Sequence, residues 1–190
     1  TGTKEDLSDA KIYRGTAAAI SKTTDNDAGE GIDYTASNQV STGTGAIAEN
    51  TTYYYSYTWN DGEGAEWSDV YSYTSKDFDS FQTILVGDPQ LGASGSSNQG
   101  RVDDANIASD LEGWTQTLNM ASEIAPDASF ILSAGDQIDY SSADKDYIRE
   151  LEFAAFSTPE QLRSLPLATT IGNHESLGDD YQYHYNNPND

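Results

Sequence analysis

The chain carries two hydrophobic patterns that meet near residue 76. Before that point, short segments alternate. In residues 51–59 (TTYYYSYTW), Tyr53, Tyr55, Tyr57 and Trp59 fall on one side and Tyr54, Ser56 and Thr58 on the other. That is the period-2 spacing of a strand, built from strand-favouring residue types. Asn60-Asp61-Gly62-Glu63-Gly64 is a turn signal, and residues 67–74 (WSDVYSYT) read as the returning strand of a hairpin. Residues 12–20 and 32–40 are weaker strand candidates. Short strands, Gly/Asn/Asp turns and the lack of any helical period predict a small β-sandwich over residues 1–76.

From residue 77 the pattern changes. Residues 81–86 (FQTILV) form a continuous apolar run ending at Gly87-Asp88, which predicts a strand buried on both faces. A Gly/Ser-rich stretch, residues 92–100, reads as a mobile loop. Ile107, Leu111, Trp114, Leu118, Ala121 and Ile124 then recur at helical spacing, and Pro126 ends that helix. Residues 130–134 (FILSA) predict a second buried strand, ending at Gly135-Asp136. Residues 147–156 predict a helix. Thr158-Pro159 reads as an N-cap with proline at the first helical position of another. Residues 165–171 predict a third strand, ending at Gly172-Asn173-His174. The order β-α-β-α-β over residues 77–190 is that of a parallel sheet with crossover helices.

Composition narrows the function classes. Nine Lys and Arg stand against 32 Asp and Glu, a formal net charge of −23, so no nucleic-acid partner is expected. The chain has no cysteine, which excludes disulfide frameworks, iron–sulfur clusters and thiol nucleophiles. No apolar run approaches the roughly 18 residues of a membrane span. A hydrophobic content of 36% still allows a packed core. The chain opens on Thr1 without a signal-peptide pattern, and its acidity without cysteine leads to the expectation of an extracellular or cell-surface protein whose leader has been removed.

Candidate chemistry sits at the strand ends. Each of the three predicted buried strands finishes in glycine followed by a polar residue able to bind a metal. In open parallel sheets, ligands bind outside the carboxyl ends of the strands. Asp88, Asp136, Asn173 and His174 are therefore expected to converge, although they are far apart in sequence. One such strand end alone is an ordinary turn; three in succession are not. Hard oxygen donors with an imidazole suit divalent or trivalent cations.

The segments GDPQLG (residues 87–92), GDQID (135–139) and GNHE (172–175) resemble the first three motifs of the calcineurin-like metallophosphoesterases. More narrowly, the chain resembles the purple acid phosphatase branch. That branch carries an N-terminal fibronectin-III-like domain, whose closing strands NTTYYYSY (50–57) and WSDVYSYTS (67–75) resemble. The resemblance implies a fibronectin-III-like β-sandwich over residues 1–76. It is followed by the first half of an α/β metallophosphoesterase sandwich over residues 77–190, so the chain reads as truncated after GNHE. It implies hydrolysis of a phosphate-ester substrate with two metal ions drawn from Fe, Mn and Zn. Asp88 would bind the first metal, Asp136 would bridge the two, Asn173 would bind the second, and His174 would be the catalytic acid or substrate-orienting residue. A pair of cations about 3.5–4 Å apart can clamp a phosphoryl group.

Three departures from the family stand out. Gln90 occupies the place of a common histidine ligand and is a further metal candidate through its amide oxygen, or lies one shell out. Asp139 stands where the purple enzymes have a tyrosinate, which speaks against a ferric-tyrosinate centre and makes Asp139 itself a metal candidate. The family's later histidine ligands are missing, since the only other histidine, His184, reads as a loop or substrate-side residue. This fragment is therefore expected to be inactive.

Other features are weaker. Arg101 is a candidate substrate contact or a plain surface arginine. Residues 25–30 mimic a calcium loop but lack its glycine and flanking helices. Asp144, Asp146, Glu150 and Glu152 read as the solvated face of one helix. Asn50-Thr51-Thr52 is a glycosylation sequon. The aromatic stripe at 53–59 reads as sandwich core or inter-domain packing. The rival to an enzyme is a surface interaction module whose phosphoesterase part is degenerate. Oligomeric state leaves no trace in the sequence.

Overall fold

A computed structural model describes residues 12–16, 48–58, 68–96, 104–142 and 146–185. In the N-terminal part, β1 (Ile12–Thr16), β2 (Thr52–Thr58) and β3 (Tyr71–Thr74) form one three-stranded sheet in the order β1-β2-β3. The hairpin expected from the alternating Tyr run is present: β2 and β3 are antiparallel, with Tyr53 opposite Tyr73 and Tyr55 opposite Tyr71. Such cross-strand aromatic pairs stabilise a sheet by roughly 0.2–1 kcal/mol each. Ser75, fully buried, closes the hairpin base by donating its N–H to the Thr51 carbonyl (3.0 Å) and its hydroxyl to the Ala48 carbonyl (2.5 Å). The returning strand is shorter than its apolar pattern, because residues 68–70 lie outside the ladder. Of the candidate strand 12–20, residues 12–16 form β1 and residues 17–20 lie outside the described residues. The candidate strand 32–40, the calcium-like loop and Trp59 lie outside the described residues. Among the described residues this part shows a single sheet, paired parallel between β1 and β2, and not the two layers of a sandwich.

The second part has the expected β-α-β-α-β order. β4 (Gln82–Val86), β5 (Ala128–Ser133) and β6 (Leu167–Thr169) form a parallel sheet in the order β4-β5-β6. Among the described residues four helices accompany it: α1 (Ala93–Ser96), α2 (Asp104–Ile124), α3 (Asp146–Ser157) and α4 (Tyr181–His184). The apolar stripe of α2 and the end of α3 cover one sheet face, where Trp114, Leu118, Ala155 and Phe156 pack with Ile84 and Ile131. The Trp114 and Phe156 rings stack at 5.2 Å, and the indole N–H donates to the Phe156 carbonyl (3.0 Å). Full burial of Leu118, Ile131 and Phe156 contributes roughly 1.5–3 kcal/mol each.

Several sequence expectations change here. β4 is not buried on both faces: Ile84 is buried, but Phe81 and Leu85 are 55% and 68% exposed. β4 is the edge of the described sheet, and the described helices cover only one side. The third strand shrinks to Leu167–Thr169, leaving Ile171 exposed. Residues 93–96, expected in a loop, form the short helix α1. Thr158 does not cap a helix. Its hydroxyl donates back to the Ala154 carbonyl (2.7 Å), and Pro159 precedes only a 3-10 turn, Glu160–Arg163. That turn touches the N-terminal sheet. The Tyr55 hydroxyl donates to the Arg163 carbonyl (2.5 Å), and the Arg163 guanidinium lies 5.2 Å from the Tyr71 ring centroid. Tyr55 of the aromatic stripe thus touches the second part of the chain.

Candidate active site

Beyond the strands, the backbone ladder continues into the polar loops. Asp88 N–H donates to the Gly135 carbonyl (3.2 Å), Gln90 N–H to the Asp136 carbonyl (2.9 Å) and Leu91 N–H to the Gln137 carbonyl (3.0 Å). Leu91 and Ile138 form a further parallel bridge. The first two motifs therefore run side by side past the carboxyl edge of the sheet. Asp88, Gln90 and Asp136 have left-handed φ values of +60°, +41° and +51°. Non-glycine residues adopt that region at a cost of order 1–3 kcal/mol each, and such strain clusters at functional sites.

The third motif packs against the second through two glycines. A Cβ on Gly135, whose φ is +97°, would lie 2.8 Å from Gly172 Cα; a Cβ on Gly172 would lie 2.1 Å from Asp136 Oδ1. Only glycine allows the two loops this approach. The loops are then tied by Glu175, the last residue of GNHE. Its buried carboxylate accepts the N–H groups of Asp136 (2.9 Å), Gly172 (2.8 Å) and Ile138 (3.1 Å). The motif had given Glu175 no role of its own; its only sequence signal was a carboxylate three residues after an obligatory glycine.

His174 is fixed at three points. Its backbone N–H donates to Asp136 Oδ1 (3.1 Å), its ring Nδ1 meets the Asp139 carbonyl oxygen, and its Nε2 lies 3.2 Å from Gln90 Nε2. A carbonyl can only accept, so the neutral ring carries its proton on Nδ1, and Nε2 accepts from the Gln90 amide. The amide nitrogen of Gln90, not its oxygen, is thereby turned to His174. Asp139 reaches the site through its main chain: carbonyl to His174, N–H to Glu152 Oε2 (3.1 Å). Asn173 is exposed at the turn, with its carbonyl accepting the Ser176 hydroxyl (2.9 Å). Asp88, Asp136, Asn173, His174, Gln90 and Asp139 are thus all on the three loops at one sheet edge. Arg101 lies outside the described residues. A cleft of about 570 Å³ opens beside Gln90, lined by Gly87, Pro89, Asp110 and Trp114 among others.

The acidic face of α3 is where the sequence expectation fails most clearly. Glu150 and Glu152 are buried, not solvated. Glu152 accepts the N–H groups of Tyr140 (2.8 Å) and Asp139 (3.1 Å), while its Oε1 has no hydrogen-bond partner among the described residues. Burial pushes its carboxyl up to about 8. The Asp139 charge adds to the rise, while the two N–H donors and Arg149 oppose it. Glu150 Oε1 pairs with His184 Nε2 (2.9 Å), and the His184 ring stacks on Phe153 at 4.2 Å. His184 therefore ends α4 inside a packed cluster and not in a loop. Arg149, on the same helix and fully buried, makes a bidentate pair with Asp180 (2.5 and 2.6 Å). The side chains of Asp144 and Asp146 lie outside the described residues.

The donor chemistry at this edge fits a hard divalent cation: two aspartates and an asparagine amide on glycine-hinged loops. Among the described residues, no three His, Cys, Asp or Glu side chains stand close enough to form a cage by themselves. Amide oxygens, a partial site, or both would have to complete it.

An open parallel sheet with its polar loops gathered at the carboxyl edge defines a ligand-binding α/β protein. The family model for calcineurin-like phosphoesterases matches residues 81–190, more than half of the chain, and the chain belongs to that family. The match includes β4 to β6 and all three loops. The family hydrolyses phosphoric esters and generally uses divalent metals. No curated protein and no solved structure matches the chain. Among the described residues, no helix is long and apolar enough to cross a membrane.

Proposed function

We propose that the protein is a dinuclear-metal phosphoesterase of the purple acid phosphatase-like branch, acting at the cell surface or outside it, with a fibronectin-III-like module over residues 1–76. The observation that carries the enzymatic reading is the hydrogen-bonded convergence of the three glycine-hinged loops at one sheet edge. Asp88 and Asn173 would each hold one metal, and Asp136 would bridge them; Gln90 and Asp139 stand beside them. Bound metals would neutralise the phosphoryl charge and activate water. Asp136 also accepts the His174 N–H, so the bridging residue sets the position of His174. Nδ1 is held by the Asp139 carbonyl, so His174 Nε2, once it gives up the Gln90 amide, would be the ring atom to meet a leaving-group oxygen, as a proton donor when the ring is protonated. The cleft beside Gln90 would take the ester's organic part.

Loaded with Mn²⁺ or Zn²⁺, the full-length protein should hydrolyse a chromogenic aryl phosphate, and Asp136→Asn should abolish both turnover and metal uptake measured by calorimetry. Turnover that survives in the mutant would sink the mechanism.

A second reading is favoured by one observation. With no three His, Cys, Asp or Glu side chains close enough for a cage among the described residues, and with His184 committed to Glu150, the 190-residue chain is expected to be inactive alone. The phosphoesterase part would then be degenerate and the protein an interaction module. Absence of any Asp136-dependent metal uptake would favour this reading over the enzyme.

A further inference from the structure

We infer that Arg149 is a positioning residue for His174, a role that rests on the reading of His174 as the site's acid. Arg149 lies on α3, outside the three motifs in sequence, and is fully buried. Its guanidinium donates to three backbone carbonyls: Tyr140 (2.8 Å), His174 (3.0 Å) and Glu175 (3.0 Å). The remaining donors are taken by Asp180, which neutralises the charge. One planar group thus joins the loop after β5 to the loop after β6.

The two carbonyls that Nη1 holds bracket the contact that sets the His174 ring. The His174 carbonyl belongs to the imidazole's own residue. The Tyr140 carbonyl follows directly on Asp139, whose carbonyl receives the ring Nδ1–H. By fixing both peptides, Arg149 fixes the distance between Nδ1 and its acceptor. The hydrogen bond made by one ring nitrogen decides which nitrogen carries the proton. Arg149 therefore sets the Nδ1–H tautomer and the aim of Nε2 without touching substrate. Lysine cannot replace it, because one ammonium paired with Asp180 cannot reach three carbonyls in separate directions.

Long-range proton–nitrogen NMR of the metal-free chain tests this directly. The chain has two histidines, so a His184→Gln variant assigns the spectrum. In the unaltered chain His174 should show the Nδ1–H tautomer. In Arg149→Lys, and more completely in Arg149→Met, that form should cease to be the majority and give way to Nε2–H, the form an unrestrained neutral histidine prefers in water. The His184 signals, stacked on Phe153, should stay in place and report that the fold is intact. A folded Arg149→Lys variant that keeps the Nδ1–H form overturns the proposal, even if Arg149→Met fails to fold. The spectrum is read without metal or substrate. A tautomer that shifts as expected beside an inactive metal-loaded full-length protein would reject the phosphoesterase mechanism and leave this inference standing.

Discussion

Gly172 shows what the site demands of single residues. An added methyl would meet Asp136 Oδ1 at 2.1 Å and Asp136 N at 2.3 Å, atoms that are themselves held by His174 and Glu175. Neither can move without opening the loop junction, so Gly172→Ala is expected to cost about 1–3 kcal/mol through overpacking. Gly113 is the internal contrast. It lies within α2, exposed, with nothing within 4 Å of an added Cβ. Gly113→Ala should stabilise the protein by roughly 0.5–1 kcal/mol. Urea unfolding of both variants checks the pair, and equal effects would contradict the loop contact. Gly172 was legible in the sequence because a glycine before a polar strand end has few other uses. Arg149, Glu152 and Glu175 were not. A charged residue reads as solvated unless its partner is known, and here the partners are backbone N–H and carbonyl groups of distant loops.

The same asymmetry appears for whole elements. α2 was read within a few residues because its apolar stripe, from Ile107 to Ile124, is continuous and Pro126 stops it. β4 was read in the right place but with the wrong burial, since a run such as FQTILV does not say whether a second layer covers it. On α3 the acidic pattern predicts a solvated face, but Glu150 and Glu152 are buried, and Glu152 makes that difference measurable. Its carboxyl rises from an ordinary 4.5 to about 8 in the folded protein. Between those values the folded chain keeps a proton that the unfolded chain has released. The stabilising contribution is complete below the unfolded pKa and is lost as pH rises through the folded one, at up to about 1.4 kcal/mol per pH unit. Glu152→Gln keeps an acceptor for the Asp139 and Tyr140 N–H groups but cannot ionise. Unfolding free energies of the two proteins, compared from about pH 5 to pH 8, should therefore diverge, the unaltered protein losing ground with each step. Parallel curves would contradict a proton on buried Glu152.

At the scale of the molecule, charge is the dominant fact. Residues 1–76 carry five Lys and Arg against twelve Asp and Glu, and residues 77–190 carry four against twenty. In the second part Arg149 is already consumed by Asp180, and Arg163 lies over Tyr71 beside the N-terminal sheet. Basic side chains are thus few for holding a phosphate ester, which is the electrostatic argument for the cation proposed at the loop edge. The same excess acts on stability, because a net charge of −23 makes the compact state repel itself. Raising ionic strength from about 0.01 M to 0.15 M shortens the screening length from about 30 Å to about 8 Å. The few ion pairs this weakens are worth little where exposed, as with Lys76 and Asp127, and are poorly screened where buried, as with Arg149 and Asp180. Screening of repulsion should therefore win, and the thermal midpoint of the metal-free protein should rise with added sodium chloride. A midpoint that falls would mean that attractive pairs, and not the acidic excess, govern the folded charge distribution.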